Sequence, residues 1–90
     1  MLRLNCFIKV TGDRAQVLDA AKRLTVASLK QDGCIAYDIF ESATRPDVMM
    51  ICETWRDKEA LEAHSKSDVF VKEVAVMETG ASLKLETFSF

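Results

Sequence analysis

The sequence predicts an α+β domain with the element order β-α-β-β-α-β and a four-stranded antiparallel sheet. Three observations predict it. Apolar and polar residues alternate in the strand-like segments, apolar residues recur every three or four positions between them, and turn residues separate the segments. A chain of 90 residues is too short for two hydrophobic cores, so residues 1–90 are expected to form one domain.

The first strand and helix follow from two different periodicities. Residues 2–10 predict a strand, because the even-numbered positions from Leu2 to Val10 are apolar and form one face. Asp13 is a typical helix cap, and the spacing of apolar residues predicts a helix over about 14–31, which Gly33 ends. Asn5 and Phe7 share the second face of the strand.

A hairpin is expected in the middle of the chain. A β-rich run extends from Cys34 to Ser42, and residues 43–47 interrupt it with a turn. Residues 48–55 then predict a third strand that is apolar on both faces. The two strands are adjacent in sequence, so we expect them to pair.

The second helix is predicted to be broken in two. Asp57 caps a short segment through His64, and Ser67 or Asp68 caps another that ends near Gly80. Residues 82–90 alternate again and predict the last strand. With this strand the order is the ferredoxin-like, or split βαβ, arrangement.

The face of the sheet without helices is expected to be covered by another protein surface. Right-handed crossovers place both helical layers on one face of the sheet, yet the third strand is apolar on its other face too. Leaving those side chains in water would forgo roughly 1.5–3 kcal/mol each. The sequence therefore predicts a homodimer, the commonest closed assembly.

Composition excludes several classes of partner. Twelve basic and fourteen acidic residues give a net charge of −2 without a basic cluster, so a nucleic acid is not expected. No apolar run approaches the roughly 20 residues of a membrane span. The chain has an odd number of cysteines, Cys6, Cys34 and Cys52, which predicts buried, reduced thiols. Because the amino terminus shows no secretion signal, reduced thiols indicate the cytoplasm. With one histidine and no phosphate-binding motif, we expect neither a metal nor a bound cofactor.

Five residues are candidates for chemistry: Asn5, Tyr37, Glu53, Trp55 and His64. His64 lies on the inward face of the broken helix, and we expect the five side chains to converge on a cavity between sheet and helices. Each also has a structural interpretation, because buried polar groups are usually hydrogen-bonded and large aromatic residues usually pack in cores.

Three segments carry a family resemblance: residues 33–37, residues 53–64 and residues 67–70. The sequences GCIAY, ETWRDKEALEAH and SDVF resemble the antibiotic biosynthesis monooxygenase (ABM) family, and the spacing from Glu-x-Trp to His is the most specific feature. The resemblance implies a dimeric α+β barrel and a quinol monooxygenase that uses no metal or flavin. It also implies a catalytic set of Asn5, Trp55 and His64. Many relatives carry a second histidine where this chain has Val69.

The resemblance implies a cofactor-independent monooxygenase that oxidises a small aromatic hydroquinone or phenol with O₂. His64 would transfer a proton, and Asn5 and Trp55 would donate hydrogen bonds. The expected substrate-binding residues are Phe7, Tyr37, Ile51, Glu53 and Phe70.

Three other functions remain open at this point. A dimeric module could bind a small hydrophobic ligand without chemistry. A sugar-phosphate isomerase would need a cation near the phosphate, but Arg56, Lys66 and Lys72 are predicted to face solvent. Haem degradation would need more room than a chain this short provides.

Overall fold

Four strands and three helices make up the computed structural model, which describes residues 1–90 throughout. The elements are β1 (Leu2–Val10), α1 (Arg14–Ser28), β2 (Cys34–Glu41), β3 (Val48–Trp55), α2 (Lys58–Lys66), α3 (Asp68–Glu78) and β4 (Ala81–Ser89). This order confirms the predicted β-α-β-β-α-β arrangement with a divided second helix. None of the helices has the combination of length and apolar character that a bilayer crossing requires.

The sheet has the strand order β2-β3-β1-β4, and every neighbouring pair is antiparallel. The predicted hairpin of β2 and β3 is confirmed. In the centre of the sheet, Cys6 of β1 lies between Ile51 of β3 and Leu85 of β4. Because side chains alternate along each strand, this register places these three residues on the same face.

That face carries the helices and the hydrophobic core. Its fully or largely buried strand residues are Leu4, Cys6, Ile8, Tyr37, Met49, Ile51 and Trp55. Helices α1 and α3 add Ala20, Ala21, Leu24 and Met77 to the same core. The opposite face carries no helix, so its apolar side chains remain accessible in the single chain.

The predicted helix caps are confirmed. The side chains of Asp13, Asp57 and Ser67 accept hydrogen bonds from the backbone N–H groups of Gln16, Ala60 and Phe70, respectively. Each of these caps satisfies an N–H group that has no partner inside its own helix.

The predicted end of α1 was three residues too late. The helix ends at Ser28, because the Lys30 and Gln31 N–H groups turn to the carbonyls of Ala27 and Ser28 and close a tighter turn. The β2 and β4 boundaries differ from prediction by one residue. Strand β2 ends at Glu41, since the hydroxyl of Ser42 accepts from the Thr44 and Arg45 N–H groups in the following turn.

Gly33 allows the turn between α1 and β2 to pack closely against α2. Its φ of +81° lies in the left-handed region, and a Cβ added there would approach the Ala60 Cβ to 2.4 Å. Glycine meets both requirements, since it has no Cβ and adopts positive φ at little cost. The turn containing Gln31 consequently lies beside the helix that carries His64.

Candidate active site

A largely apolar cavity lies between the sheet and the helices. It has a volume of about 280 Å³, and eleven of its fifteen lining residues are hydrophobic. Ser65, Glu78 and Leu85 are exposed and mark the mouth, whereas the buried polar side chains Tyr37, Glu53 and His64 lie deeper. The remaining lining residues are Leu4, Cys6, Leu24, Ile51, Leu61, Phe70, Val74, Met77 and Leu83.

His64 is the most deeply buried ionisable side chain of the cavity, with 2% of the residue exposed. Three aromatic rings surround the imidazole: the ring-centroid distances are 4.5 Å to Trp55, 5.0 Å to Phe70 and 5.6 Å to Tyr37. The Nδ1 atom lies 2.7 Å from Oε1 of Gln31, while Nε2 is buried without a hydrogen-bond partner.

Burial sets the protonation state of this imidazole. It lowers the pKa of His64 from 6.5 to about 4, because the charged form loses its hydration. The imidazole is therefore neutral at neutral pH. A neutral imidazole has one nitrogen with a free lone pair, which is the requirement for a proton acceptor.

Glu53 lies next to the imidazole on β3. Its Oε1 atom accepts a hydrogen bond of 2.9 Å from the Trp55 indole N–H and is 4.0 Å from Nε2 of His64. Burial raises the pKa of Glu53 from 4.5 to about 7, although the Trp55 N–H and the Tyr37 hydroxyl favour the ionised form. Near neutral pH the carboxyl group therefore exists in both protonation states.

A β-bulge in β2 turns Tyr37 towards the cavity. Cys34 pairs with Trp55 and Ala36 pairs with Thr54, so Ile35 is an extra residue in the strand. Without it, the alternation would place Tyr37 on the helix-free face. Burial and the nearby Glu53 raise the pKa of Tyr37 above its ordinary value, and the phenol keeps its proton.

The three cysteines are free thiols. Only Cys6 lines the cavity, where burial, followed by the charge of Glu53, raises its pKa to about 11. A protonated, buried thiol acts as a small apolar wall residue. No three His, Cys, Asp or Glu side chains form a group that could hold a metal ion.

The cavity contains five of the predicted site residues, and a sixth lies immediately behind it. Tyr37, Ile51, Glu53, His64 and Phe70 line the space. Trp55 is fully buried behind them, with its ring packed at a tilt of 34° against His64, and its N–H is already bonded to Glu53. Its predicted role as a hydrogen-bond donor to substrate is therefore not supported by this geometry.

The predicted placement of Asn5 and Phe7 in the cavity is wrong. Both lie on the helix-free face of β1, because the alternation that directs Leu4 and Cys6 towards the helices directs their neighbours away. Asn5 is opposite Cys52 of β3 and Glu86 of β4 on that face. The two residues do share one face of β1, as expected, but the cavity lies on the other.

Gln31 and the cavity wall of β4 were not predicted. The alternation of residues 82–90 already places Leu83 and Leu85 on one face, so their side could have been inferred from the pairing of β4 with β1. Gln31 lies in a turn without any periodic pattern. Its contact with His64 depends on how the turn packs against α2, which the sequence does not indicate.

None of the three cations near α2 and α3 lines the cavity. Arg56 is paired with Asp32 and Asp57, and Lys66 and Lys72 are exposed. Their predicted orientation towards solvent is confirmed, so the cavity offers no cation for a phosphate group.

Comparisons with solved structures show the same overall fold in other proteins. A crystal structure of a conserved protein of unknown function from Bacteroides thetaiotaomicron VPI-5482 is 51% identical, with a TM-score of 0.96, and the match covers 99% of this chain and 96% of that chain. SnoaB, a cofactor-independent oxygenase from Streptomyces nogalater, shares the fold with a TM-score of 0.90 at 12% identity, over 99% of this chain and 91% of that chain.

Sequence comparisons point to one family. The relative named "Putative monooxygenase YcnE" from Bacillus subtilis (strain 168) is 30% identical over 71 residues, which are 78% of this chain and 75% of that protein. The family model described as "Antibiotic biosynthesis monooxygenase" matches residues 1–75. The resemblance found in the sequence is thus confirmed, and the chain belongs to the antibiotic biosynthesis monooxygenase (ABM) family.

Proposed function

We propose that this protein is a cofactor-independent monooxygenase that oxidises a small aromatic hydroquinone or phenol with O₂. The observation that supports this most directly is His64, which lines an apolar cavity and whose Nε2 atom is buried without a hydrogen-bond partner. SnoaB, with the same fold, is a cofactor-independent oxygenase, and we extend that description to this chain.

In the proposed reaction the substrate supplies the electrons. His64 Nε2 takes the hydroxyl proton, and the resulting phenolate passes one electron to O₂. The aryloxyl radical and superoxide then combine at a ring carbon that bears hydrogen. The peroxide anion takes back the proton from His64, the O–O bond breaks as the ring C–H proton leaves, and the products are a carbonyl group and water. One oxygen atom enters the product and the other leaves as water.

The neighbouring side chains have separate proposed roles. In its protonated form, Glu53 donates a hydrogen bond to the phenolate oxygen, and its raised pKa keeps this form present near neutral pH. Trp55 supports the pair by packing its ring against His64 and donating a hydrogen bond to Glu53. Ile51 and Phe70 supply apolar walls for an aromatic ring.

The volume of the cavity favours a compact substrate. An apolar cavity of about 150 Å³ is enough to hold benzene. The 280 Å³ found here are nearly twice that volume. We therefore expect a substrate of one ring or two fused rings, such as a reduced naphthoquinone.

Filling the cavity is expected to lower kcat/KM. Val74 lines the cavity from α3, whereas Val71 on the same helix is 60% exposed. Val74→Trp should lower kcat/KM for a reduced naphthoquinone at least about tenfold, a loss of about 1.4 kcal/mol of transition-state stabilisation. Val71→Trp is the matched control and should match the wild type. Oxygen uptake, corrected for uncatalysed oxidation, measures the rate, and circular dichroism checks the fold.

Product analysis distinguishes this proposal from its alternatives. Mass spectrometry should find a product that has gained one oxygen atom and lost two hydrogen atoms. Wild-type protein that binds the hydroquinone but gives no rate above the uncatalysed one would instead be a binding module, and the monooxygenase proposal would be overturned.

We propose further that two copies of the chain pair through the helix-free face of the sheet. Phe40, Met50 and Phe7 lie opposite one another on β2, β3 and β1, and the two phenylalanines are 49% and 40% exposed, respectively. A continuous apolar row of this kind on three strands is typical of an interface. A second copy of the chain carries the same apolar row and can therefore bury it.

We also propose that the protein is located in the cytoplasm, since a reducing environment keeps cysteines as thiols.

A charge in this row is expected to separate the two copies. Phe7→Asp removes two buried phenyl groups from a two-fold interface, a loss of about 3 kcal/mol or more, which weakens association roughly 100-fold. Sedimentation equilibrium at micromolar concentration should show a dimer for wild type and a monomer for the variant. Val26→Asp, at an exposed position on α1, is the control and should remain a dimer. A monomeric wild type would contradict the proposal.

A further inference from the structure

Gln31 is held directly against the imidazole of His64. It lies in the turn between α1 and β2, where its N–H donates to the Ser28 carbonyl and its carbonyl accepts from the Cys34 N–H. The same turn packs on α2 at Gly33. The backbone of Gln31 is therefore fixed at both ends, and its side-chain oxygen lies 2.7 Å from Nδ1 of His64.

This contact decides which ring nitrogen carries the proton. An amide oxygen only accepts hydrogen bonds, so the Nδ1 atom at 2.7 Å must donate and must carry hydrogen. In a neutral imidazole the other nitrogen, Nε2, then has the free lone pair. That lone pair lies on the Glu53 side of the ring, and both Glu53 and His64 line the cavity.

A second acceptor competes for the same proton. Oε1 of Glu53 lies 4.0 Å from Nε2, on the opposite side of the ring from Gln31. A carboxylate in this position favours the other tautomer, in which Nε2 carries hydrogen and cannot act as a base. The shorter contact, from Nδ1 to Gln31, favours the Nδ1–H tautomer and so opposes the effect of Glu53.

The two sides of the ring also differ in access. On one side is the apolar cavity, and on the other is an open polar cleft that His64 shares with Gln31. The other residues of this cleft are Asp32, Arg56, Glu59, Ala60 and Ala63. Gln31 borders this cleft and not the apolar cavity, so it can orient the imidazole without touching a substrate in the cavity.

We propose that Gln31 is a positioning residue that holds His64 in the Nδ1–H tautomer against the pull of Glu53 and so keeps Nε2 available as the base. The catalytic consequence rests on the proposed monooxygenase function. The tautomer itself does not, and it can be measured without any substrate.

The chain's single histidine makes this measurement direct. With ¹⁵N-labelled histidine in the full-length protein, the two nitrogen resonances report which atom carries hydrogen. The wild type at neutral pH is expected to show a protonated Nδ1 and an unprotonated Nε2. Gln31→Met has a similar length but no acceptor, and it should move the proton to Nε2. Gln31→Glu keeps an acceptor and should retain the wild-type tautomer.

The kinetic readout follows the same pattern. Gln31→Met should lower kcat about 10- to 100-fold with little change in KM, Gln31→Glu should restore most of the rate, and the exposed neighbour variant Lys30→Met should have no effect. A protonated Nε2 in wild type, or an unchanged tautomer in Gln31→Met, would overturn the inference. If wild type shows no turnover but the expected tautomers, the monooxygenase proposal fails and the role of Gln31 in fixing the ring stands.

Discussion

Replacing His64 with alanine is expected to lower kcat for oxygen-dependent oxidation of a reduced naphthoquinone by about 100- to 10,000-fold. The reason is that the imidazole of His64 is neutral at neutral pH and its Nε2 atom has no hydrogen-bond partner, so in the proposed Nδ1–H tautomer Nε2 has a free lone pair for the substrate proton. Tyr37 and Cys6 keep their protons because burial raises the pKa of each side chain. Neither can take over as the base.

Rescue by free imidazole separates loss of the base from loss of structure. The His64→Ala substitution removes the imidazole ring and leaves a space between Trp55 and Phe70. Added imidazole can occupy this space and restore part of the rate. Lys66→Ala, two positions along α2 and exposed, is the control and should retain the wild-type rate. Equal rates for His64→Ala and wild type, measured by oxygen uptake, would remove His64 from the mechanism.

Replacing Glu53 with glutamine is expected to raise the free energy of unfolding by about 3 kcal/mol at about pH 8 and to leave it unchanged near pH 4. In the folded protein burial raises the pKa of Glu53 from 4.5 to about 7. Below pH 4.5 the carboxyl group is neutral in both the folded and the unfolded chain. As the pH rises through this window, the unfolded chain releases its proton first, so the wild type loses about 1.4 kcal/mol per pH unit.

Glutamine does not ionise, so the variant avoids this loss, and its amide oxygen can still accept the Trp55 N–H. His64 contributes the opposite trend between about pH 4 and 6.5, because its folded pKa is lowered, and this contribution is present in both proteins. The difference between them therefore reports Glu53. Urea unfolding at one protein concentration across the pH range measures it, with exposed Glu59→Gln as control. Parallel pH curves for wild type and Glu53→Gln would show that Glu53 ionises with an ordinary pKa.

Local patterns were sufficient to predict the elements of the fold. The alternation over residues 2–10 and the caps at Asp13 and Asp57 act within a few residues, and the structure confirms them. The end of α1 was less predictable, because residues 29–31 are compatible with a helix. Packing of the turn at Gly33 against Ala60 accompanies the earlier end.

The candidate site was predictable only where a local pattern determined the direction of a side chain. The helical spacing of α2 placed His64 inward, and the alternation of β3 placed Glu53 beside it. Asn5 was misplaced because it was grouped with the other unusual polar residues, although the alternation of β1 puts it on the face opposite Leu4 and Cys6, which line the cavity. The contact of Gln31 with His64 joins a turn to helix α2 across 33 positions of sequence, and no pattern within either segment reports it.

Strand β4 borders the cavity with one face and the proposed dimer interface with the other. Leu83 and Leu85 border the cavity, while the alternate residues Lys84 and Glu86 lie on the face where we propose that a second copy docks. If docking shifts this strand, the affinity of the cavity for its ligand changes, and thermodynamic reciprocity requires the ligand to change the dimerisation constant by the same factor. Titrating ligand at protein concentrations above and below the dissociation range of the dimer would thus measure communication between the two surfaces through a single β-strand.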